Sequence, residues 1–337
     1  MAERRIRSRL LYSYLRDPAA IAGSVILFVF ILAALLAPWI TPQNPYDLET
    51  LTLEHFLTPP IWMEGGTAPF ILGTDDQGRD ILSTIIYGCR TSLVVAFGVV
   101  LIAGSIGVTL GLLAGYYGKW VDTVTMRVAD TLFSFSTTLL AFLFLGVFGH
   151  GSVFIVITAI CIADWVRYAR TMRGSVLEVK EAAYIMAARA TGATDLRLLL
   201  RHILPNAVTP IFVVVAVDLA VVIMLEATLS FLGLRPQGSV TWGTMLSYAT
   251  GADAYHIGLH YWIIIPGLCI VFIVLGFTAS FSLIMLMING FRFMVVLVIP
   301  FSPSHGRVYF RARGFGLHRP ASDASSRRSA PPGGPRT

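Results

Sequence analysis

Ser92-Leu-Val-Val-Ala-Phe-Gly-Val-Val-Leu-Ile-Ala-Gly-Ser-Ile-Gly-Val-Thr-Leu-Gly-Leu-Leu-Ala-Gly-Tyr116 contains no charged side chain. At 1.5 Å per residue, a helix over residues 92–116 is longer than the hydrocarbon core of a bilayer, about 30 Å. Gly107, Gly111 and Gly115 recur every four residues and therefore lie on one helix face. Such a face lets a neighbouring backbone approach closely, and a packing seam inside a helix bundle is the reading adopted here over a gating hinge.

Working outward, five more apolar segments are candidates to cross a membrane: residues 19–40, 124–148, 153–168, 211–232 and 262–288. Backbone groups have no water to bond in lipid, so such segments form helices. The expected fold class is an all-α membrane protein with six transmembrane helices. Arg4, Arg5, Arg7 and Arg9 precede the first segment, as in a secretory leader. That segment exceeds the apolar region of a signal peptide, about 7–15 residues, and reads as a retained first span.

Composition agrees. Of 337 residues 55% are hydrophobic and 13% charged, against about 25% charged in soluble domains. The pI of 9.4 does not indicate nucleic acid, because the basic residues sit between apolar runs and at the termini rather than in a stripe with aromatics. Cys89, Cys161 and Cys269 are far apart in or beside apolar runs, which fits neither a disulfide framework nor a metal site. His256 and His260 do not form a zinc motif, and no metal is expected.

Lys and Arg placement orients the chain. Arg167, Arg170, Arg173, Lys180, Arg189, Arg197 and Arg201 fall at or in one connection. The connection 41–91 instead carries Asp47, Glu49, Glu54, Glu64, Asp75, Asp76 and Asp80. The positive-inside rule places both termini in the cytoplasm. The segments are then a basic cytoplasmic segment 1–18, a first span 19–40, an outer loop 41–91, a core 92–288 containing a cytoplasmic loop 171–206, and a tail 289–337 whose Pro, Ser, Gly and Arg predict disorder. Trp39, Trp62, Trp242 and Trp262 fall near the outer ends, as in an aromatic belt.

The loop 171–206 is rich in Ala, Leu, Met and Arg, which predicts helix. Gly192 predicts a stop, Thr194 or Asp195 a new cap, and Pro205-Asn206 the end of the second helix. A helix–turn–helix results, and its plain alternative is an amphipathic pair on lipid headgroups. Asp130, Asp164, Asp218 and Glu226 fall in or near spans, where a charge costs about 2.5–3.5 kcal/mol on insertion scales. They either line a pathway, for which Asp130, Asp218 and Glu226 are the candidates, or form interhelical bonds with an arginine such as Arg127 or Arg167.

Two sets of motifs carry a family resemblance. Met186-Ala187-Ala188-Arg189-Ala190-Thr191-Gly192, with Leu204-Pro205 downstream, resembles the EAA signature of ATP-binding cassette importer permeases. Met186 stands where that family has Glu, and His202 where it has Ile; a literal Glu181-Ala182-Ala183 lies out of register. Gly73-Thr74-Asp75-Asp76-Gln77-Gly78-Arg79-Asp80 and Leu229-Ser230-Phe231-Leu232-Gly233-Leu234 look like the second (C-type) subunit of dipeptide, oligopeptide and nickel permeases. The likeness spans about residues 4–280.

The resemblance implies a type I importer permease fold in a bacterial inner membrane. It implies a second, homologous permease subunit, two cytoplasmic ATPases docked at the coupling loop through Met186, Ala187, Ala188, Arg189, Gly192, Leu204 and Pro205, and a periplasmic or lipid-anchored binding protein. Gly73, Thr74, Asp75, Gly78, Arg79 and Asp80 would belong to the outer face. ATP and Mg would be bound by the partners. The chain itself carries no phosphate loop, since Trp120 follows Lys119 where Ser or Thr is required, so no catalytic residue and no cofactor is expected. A secondary transporter would show inverted repeats, and a membrane hydrolase paired acids within spans; neither pattern is seen.

Overall fold

The computed structural model describes residues 17–47, 57–149, 151–236, 238–251 and 260–280. The basic residues Arg4–Arg9, His256 and the tail 289–337 lie outside the described residues. Apart from one isolated bridge between Thr74 and Asp80, the described regular elements are helices.

In chain order these are α1 (Pro18–Ile40), α2 (Ile81–Tyr117), α3 (Lys119–Phe133), α4 (Thr137–Phe148), α5 (Val153–Val179) and α6 (Ala183–Ala190). Next comes α7, a run built from Asp195–Arg197, the π-helical Leu198–Ile203 and Leu204–Ala207; then α8 (Thr209–Phe231), α9 (Trp242–Gly251) and α10 (Tyr261–Ala279). α1 starts where Asp17 accepts hydrogen bonds from the amides of Ala19 and Ala20, with Pro18 in the first turn.

Four helices are long and apolar enough to cross a membrane: α1, α2, α8 and α10. The pair α3 and α4 adds a fifth if counted as one span, but it is bent by 85°. The single span expected over 124–148 is therefore broken. Ser134 turns its hydroxyl back onto the Asp130 carbonyl (2.8 Å), and Ser136 is extended. Serine hydroxyls compete with the helical ladder in this way, and an average over apolar residues does not register it. The segment expected over 153–168 continues as α5 to Val179 with Asp164, Arg167, Arg170 and Arg173 along it. It is apolar at its start and charged toward its end. The second span begins at Ile81 rather than 92, because Asp80 caps the helix there.

The glycine face forms the seam between α2 and α5. A Cβ on Gly107 would lie 2.4 Å from the Trp165 carbonyl oxygen and 2.5 Å from Tyr168 Cβ. On Gly111 it would lie 2.4 Å from the Ala169 oxygen, and on Gly115 2.8 Å from Val176 Cβ. Three turns of two helices thus meet backbone to backbone. Against this pair pack α8, α3 and α4, and α1 meets α10 where Gly23 faces Ala279.

The expected aromatic belt divides. Trp39 and Trp62 are exposed, but Trp242 and Trp262 are buried. Trp242 donates to the Ile85 carbonyl (2.9 Å) and meets Phe30 edge to face. Both buried tryptophans belong to the short helix α9 or the start of α10, which pack back onto α2 and α8 rather than facing lipid.

Candidate coupling surface and the polar clusters behind it

The motif Gly73–Asp80 is a structured cap. Asp75 accepts from the amides of Gln77 and Arg79 (both 2.8 Å), which closes a tight turn. Gly73 and Gly78 take the left-handed φ of +81° and +73° that closure requires. Thr74 receives the Thr58 amide (2.9 Å), and Gln43 receives the Asp80 amide (2.7 Å), so the loop is tied to the chain on both sides of the undescribed 48–56. Asp80 then caps α2, accepting from the Ser83 amide at 2.8 Å and its hydroxyl at 2.5 Å. Burial pushes the carboxyls of Asp75, Asp76 and Asp80 above their ordinary range. The motif's acids therefore shape the loop, and Arg79 lines a small cleft of about 20 Å³ with Asp75, Tyr248 and Trp262.

At the opposite end of α2 and α5, residues 183–207 form the expected helix–turn–helix. Thr191 ends α6 and Gly192 follows at φ +84°. The Ala193 amide bonds the Ala188 carbonyl (3.2 Å) and the Gly192 amide bonds Arg189 (3.0 Å), which is a Schellman turn. Thr194 precedes α7 but makes no side-chain cap, and Pro205 does not end the helix, which runs to Ala207. Pro205 sits in the first turn of Leu204–Ala207, where its missing amide is tolerated because the π-helical ladder has just shifted register.

Ile185, Leu198, Leu199 and Ile203 anchor the two arms in the core, while Met186, Ala187, Arg189 and Gly192 are exposed. Ala188, Leu204 and Pro205 are half-buried. Tyr184, Leu196 and Leu200 are also exposed. An apolar face on an otherwise charged connection suits a protein partner better than water.

The acids in the spans are placed as follows. Asp218 on α8 is buried, accepts from Arg167 Nη1 (2.5 Å), and receives the Tyr168 hydroxyl (2.7 Å). Arg167 also reaches Asp164 at 3.3 Å. Asp130 pairs with Arg170 (2.8 Å), not Arg127, and its side chain is 64% exposed. Glu226 is fully enclosed, accepting from the Ser92 hydroxyl (2.8 Å) and the Ser230 hydroxyl (2.7 Å). Asp218 and Glu226 thus join α5 to α8 and α2 to α8 within this one chain.

Sequence reasoning used Arg170 and Arg173 only to orient the chain and passed over Asp122. Arg173 makes a two-pronged ion pair with Asp122 of α3. The signal was the spacing of Arg167, Arg170 and Arg173. Each step of three residues turns about 60° short of a full helical turn, so the three guanidiniums fan from α8 round to α3.

Comparison with known proteins agrees with this architecture. The family described as binding-protein-dependent transport system inner membrane component matches residues 107–292, and the N-terminal TM domain of oligopeptide transport permease C matches residues 8–60. The di/tripeptide transport system permease protein DppC of Pseudomonas aeruginosa is 36% identical over 266 residues, 78% of this chain and 85% of the relative. The glutathione transport system permease protein GsiD of Pectobacterium atrosepticum is 39% identical over 267 residues, 78% and 84% of the two. The oligopeptide transport system permease protein OppC of Bacillus subtilis is 35% identical over 238 residues, 70% and 75%. The match to 292 carries the likeness beyond 280, to Asn289-Gly290-Phe291-Arg292. With matches covering both its N-terminal span and its helical core, the chain belongs to the inner-membrane permeases of binding-protein-dependent peptide transporters, as a multi-pass protein of the bacterial inner membrane.

Proposed function

We propose that this chain is one of two homologous permease subunits of a peptide importer, with both termini in the cytoplasm. Two ATPase subunits dock on α6 and α7, and a binding protein delivers cargo to the face that contains residues 57–80. The chain moves solute and leaves hydrolysis, with its nucleotide and Mg, to the ATPases. Short peptides or peptide-like solutes are the cargo class, because relatives named for di/tripeptides, glutathione and oligopeptides match over most of their length.

The observation that supports this reading most is the exposed Schellman turn at Gly192. It holds Met186, Ala187 and Arg189 in front of the buried anchors Ile185 and Leu198. Small residues at 187 and 188 let a partner seat against the helix, and Leu204 and Pro205 fix where the second arm rejoins the bundle. Among the acids, Asp130 is the candidate for the pathway, since its side chain is accessible; Asp218 and Glu226 hold helices together. ATP-driven closure of the partners would draw the turn toward its counterpart on the second subunit and switch the bundle between inward- and outward-open states.

The test is co-purification of the tagged chain with the ATPases encoded beside it, before and after Gly192→Leu. ATPases bound to the original chain and released or uncoupled by the substitution support the reading. If no ATPase associates with the original chain, it fails, and an ion-driven transporter takes its place.

A further inference from the structure

Tyr116 fastens the coupling turn to α2. Tyr116, the penultimate residue of α2, places its hydroxyl between both arms of the turn: it donates to Asp195 Oδ1 (2.5 Å) and accepts from Arg189 Nη2 (3.2 Å). Arg189 and Asp195 stand three residues before and three after Gly192. A phenol both donates and accepts, so this one group bridges a cation and an anion that lie on separate helices. The Arg189 guanidinium also lies over the Tyr116 ring at 5.8 Å, within cation–π range. One residue earlier, the Gly115 carbonyl receives Lys180 Nζ (3.0 Å) from the link between α5 and α6, and Gly115 itself abuts Val176. The end of α2 is therefore bonded to the root of the loop and to both sides of its turn.

We propose that Tyr116 is the positioning residue that sets the angle between α6 and α7 and carries movement of the turn into α2. This rests on the reading of 183–207 as the ATPase-docking element. Without the hydroxyl the turn keeps its own anchors, Ile185, Leu198 and Ile203, all buried. It then loses its hydrogen bonds to the end of α2 and pivots on them. A load applied to the turn would bend the link at Lys180–Ala182 instead of shifting the seam formed by Gly107, Gly111 and Gly115.

Tyr116→Phe keeps the ring and removes the hydroxyl. The experiment uses the complete transporter in nanodiscs, with the binding protein loaded from a casein digest. It measures ATPase subunits retained, basal ATP hydrolysis, and the fold stimulation by the loaded binding protein. The expected result is full retention of the ATPases with stimulation lowered about tenfold, inside the range usual for coupling between sites. Asp195→Ala alone, which removes the acceptor, should lower it in the same direction, and adding it to Tyr116→Phe should lower it no further, since both remove one bridge.

A second measurement needs no transported substrate. Nitroxides on Tyr117→Cys and Arg197→Cys, with Cys89, Cys161 and Cys269 changed to Ala, report the distance between α2 and α7. It should stay fixed on nucleotide binding in the parent and change in Tyr116→Phe. Equal stimulation, or a label distance that responds to nucleotide identically with and without the hydroxyl, overturns the proposal. Loss of ATPase retention in Tyr116→Phe also overturns it, by making the tyrosine a docking residue. Failure of ATPases to bind the parent chain instead overturns the docking reading on which it rests.

Discussion

Gly111→Ala adds one methyl group at the middle of the seam. Its carbon would lie 2.4 Å from the Ala169 carbonyl oxygen and 2.9 Å from Met172 Cβ, where ordinary contact begins near 3.4 Å. Neither neighbour is the far end of a flexible chain, so α2 and α5 must separate by about 1 Å, a gap that forfeits up to about half of each contact's dispersion energy. With roughly 30 atom pairs across the seam at about 0.15 kcal/mol each, the loss is about 2 kcal/mol. The better helix propensity of Ala returns about 0.8 kcal/mol, leaving a net destabilisation of about 1–1.5 kcal/mol.

In a membrane, packing is the main force joining helices, so little else offsets this loss. At about 2–3 °C per kcal/mol for a chain of this size the melting temperature should fall by about 3–4 °C. Cys89 and Cys161 are buried and Cys269 half-buried, so with Cys269 changed to Ala a thiol-reactive fluorophore in detergent reads the transition at native thiols. Gly174→Ala on α5 is the control, because nothing lies within 4 Å of its added carbon; that variant should be neutral or gain about 1 °C from propensity alone. If Gly111→Ala and Gly174→Ala melt together, the two helices do not meet through the glycine face and the seam is wrong.

Arg167→Ala leaves Asp164 and Asp218 facing each other without a cation. It should cost about 3–5 kcal/mol, read as loss of folded protein on size-exclusion chromatography, whereas the double change Arg167→Ala with Asp218→Asn should recover most of it. Asp80→Ala removes the cap of α2 and should cost about 1 kcal/mol, with Asp80→Asn nearly neutral, measured in the same thiol melt. Glu226→Gln keeps an oxygen for one serine and an amide that the other can accept, so it should melt within about 2 °C of the parent. Glu226→Leu strands the hydroxyls of Ser92 and Ser230 and should lose about 1–3 kcal/mol for each group left unpaired. Gly192→Ala has open space around its added carbon but a left-handed φ, so about 1–2 kcal/mol of strain should appear as slower cross-linking to the ATPases rather than as a lower melting temperature.

Apolar run length located four of the six expected segments as helices long and apolar enough to span, α1, α2, α8 and α10, with residues 281–288 of the last lying outside the described residues, because burial in lipid demands a continuous stretch and nothing subtler. It failed where the stretch continues through a structural break. Leu132-Phe133-Ser134-Phe135-Ser136-Thr137 stays apolar enough to hide an 85° bend, since the bend comes where Ser134 bonds its own backbone and Ser136 turns extended, not from a drop in hydropathy. It failed again at Ile81, where a helix starts among polar residues because a carboxylate caps it. Two of four tryptophans were misplaced for a related reason. Trp242 and Trp262 are near span ends in sequence, yet α9 folds back and encloses them, and only tertiary packing decides that.

For the site, the turn at Gly192 was readable because its chemistry is local: a left-handed residue between two helix-forming runs has few other uses. For the acids two roles stayed open, a pathway or an interhelical bond to an arginine such as Arg167, because their roles depend on which helix faces them. Asp218 and Glu226 have the composition of pathway residues and the geometry of internal struts; one guanidinium with one phenol closes the first, and two serines close the second. The arginines at 167, 170 and 173 explain the difference. A helix with a cation every third residue must present them over a wide arc, and here that arc meets Asp218 on α8, then Asp130 and Asp122 on α3. Because α5 runs on through Lys180 into the coupling turn, each of those ion pairs lies along the same rod that a docked ATPase would load. Weakening the exposed Asp130–Arg170 pair should therefore leave the melting temperature within about 1 °C, as for most surface pairs, yet lower the stimulation of ATP hydrolysis by the loaded binding protein. Asp130→Asn with unchanged stimulation would show instead that α3 moves independently of α5.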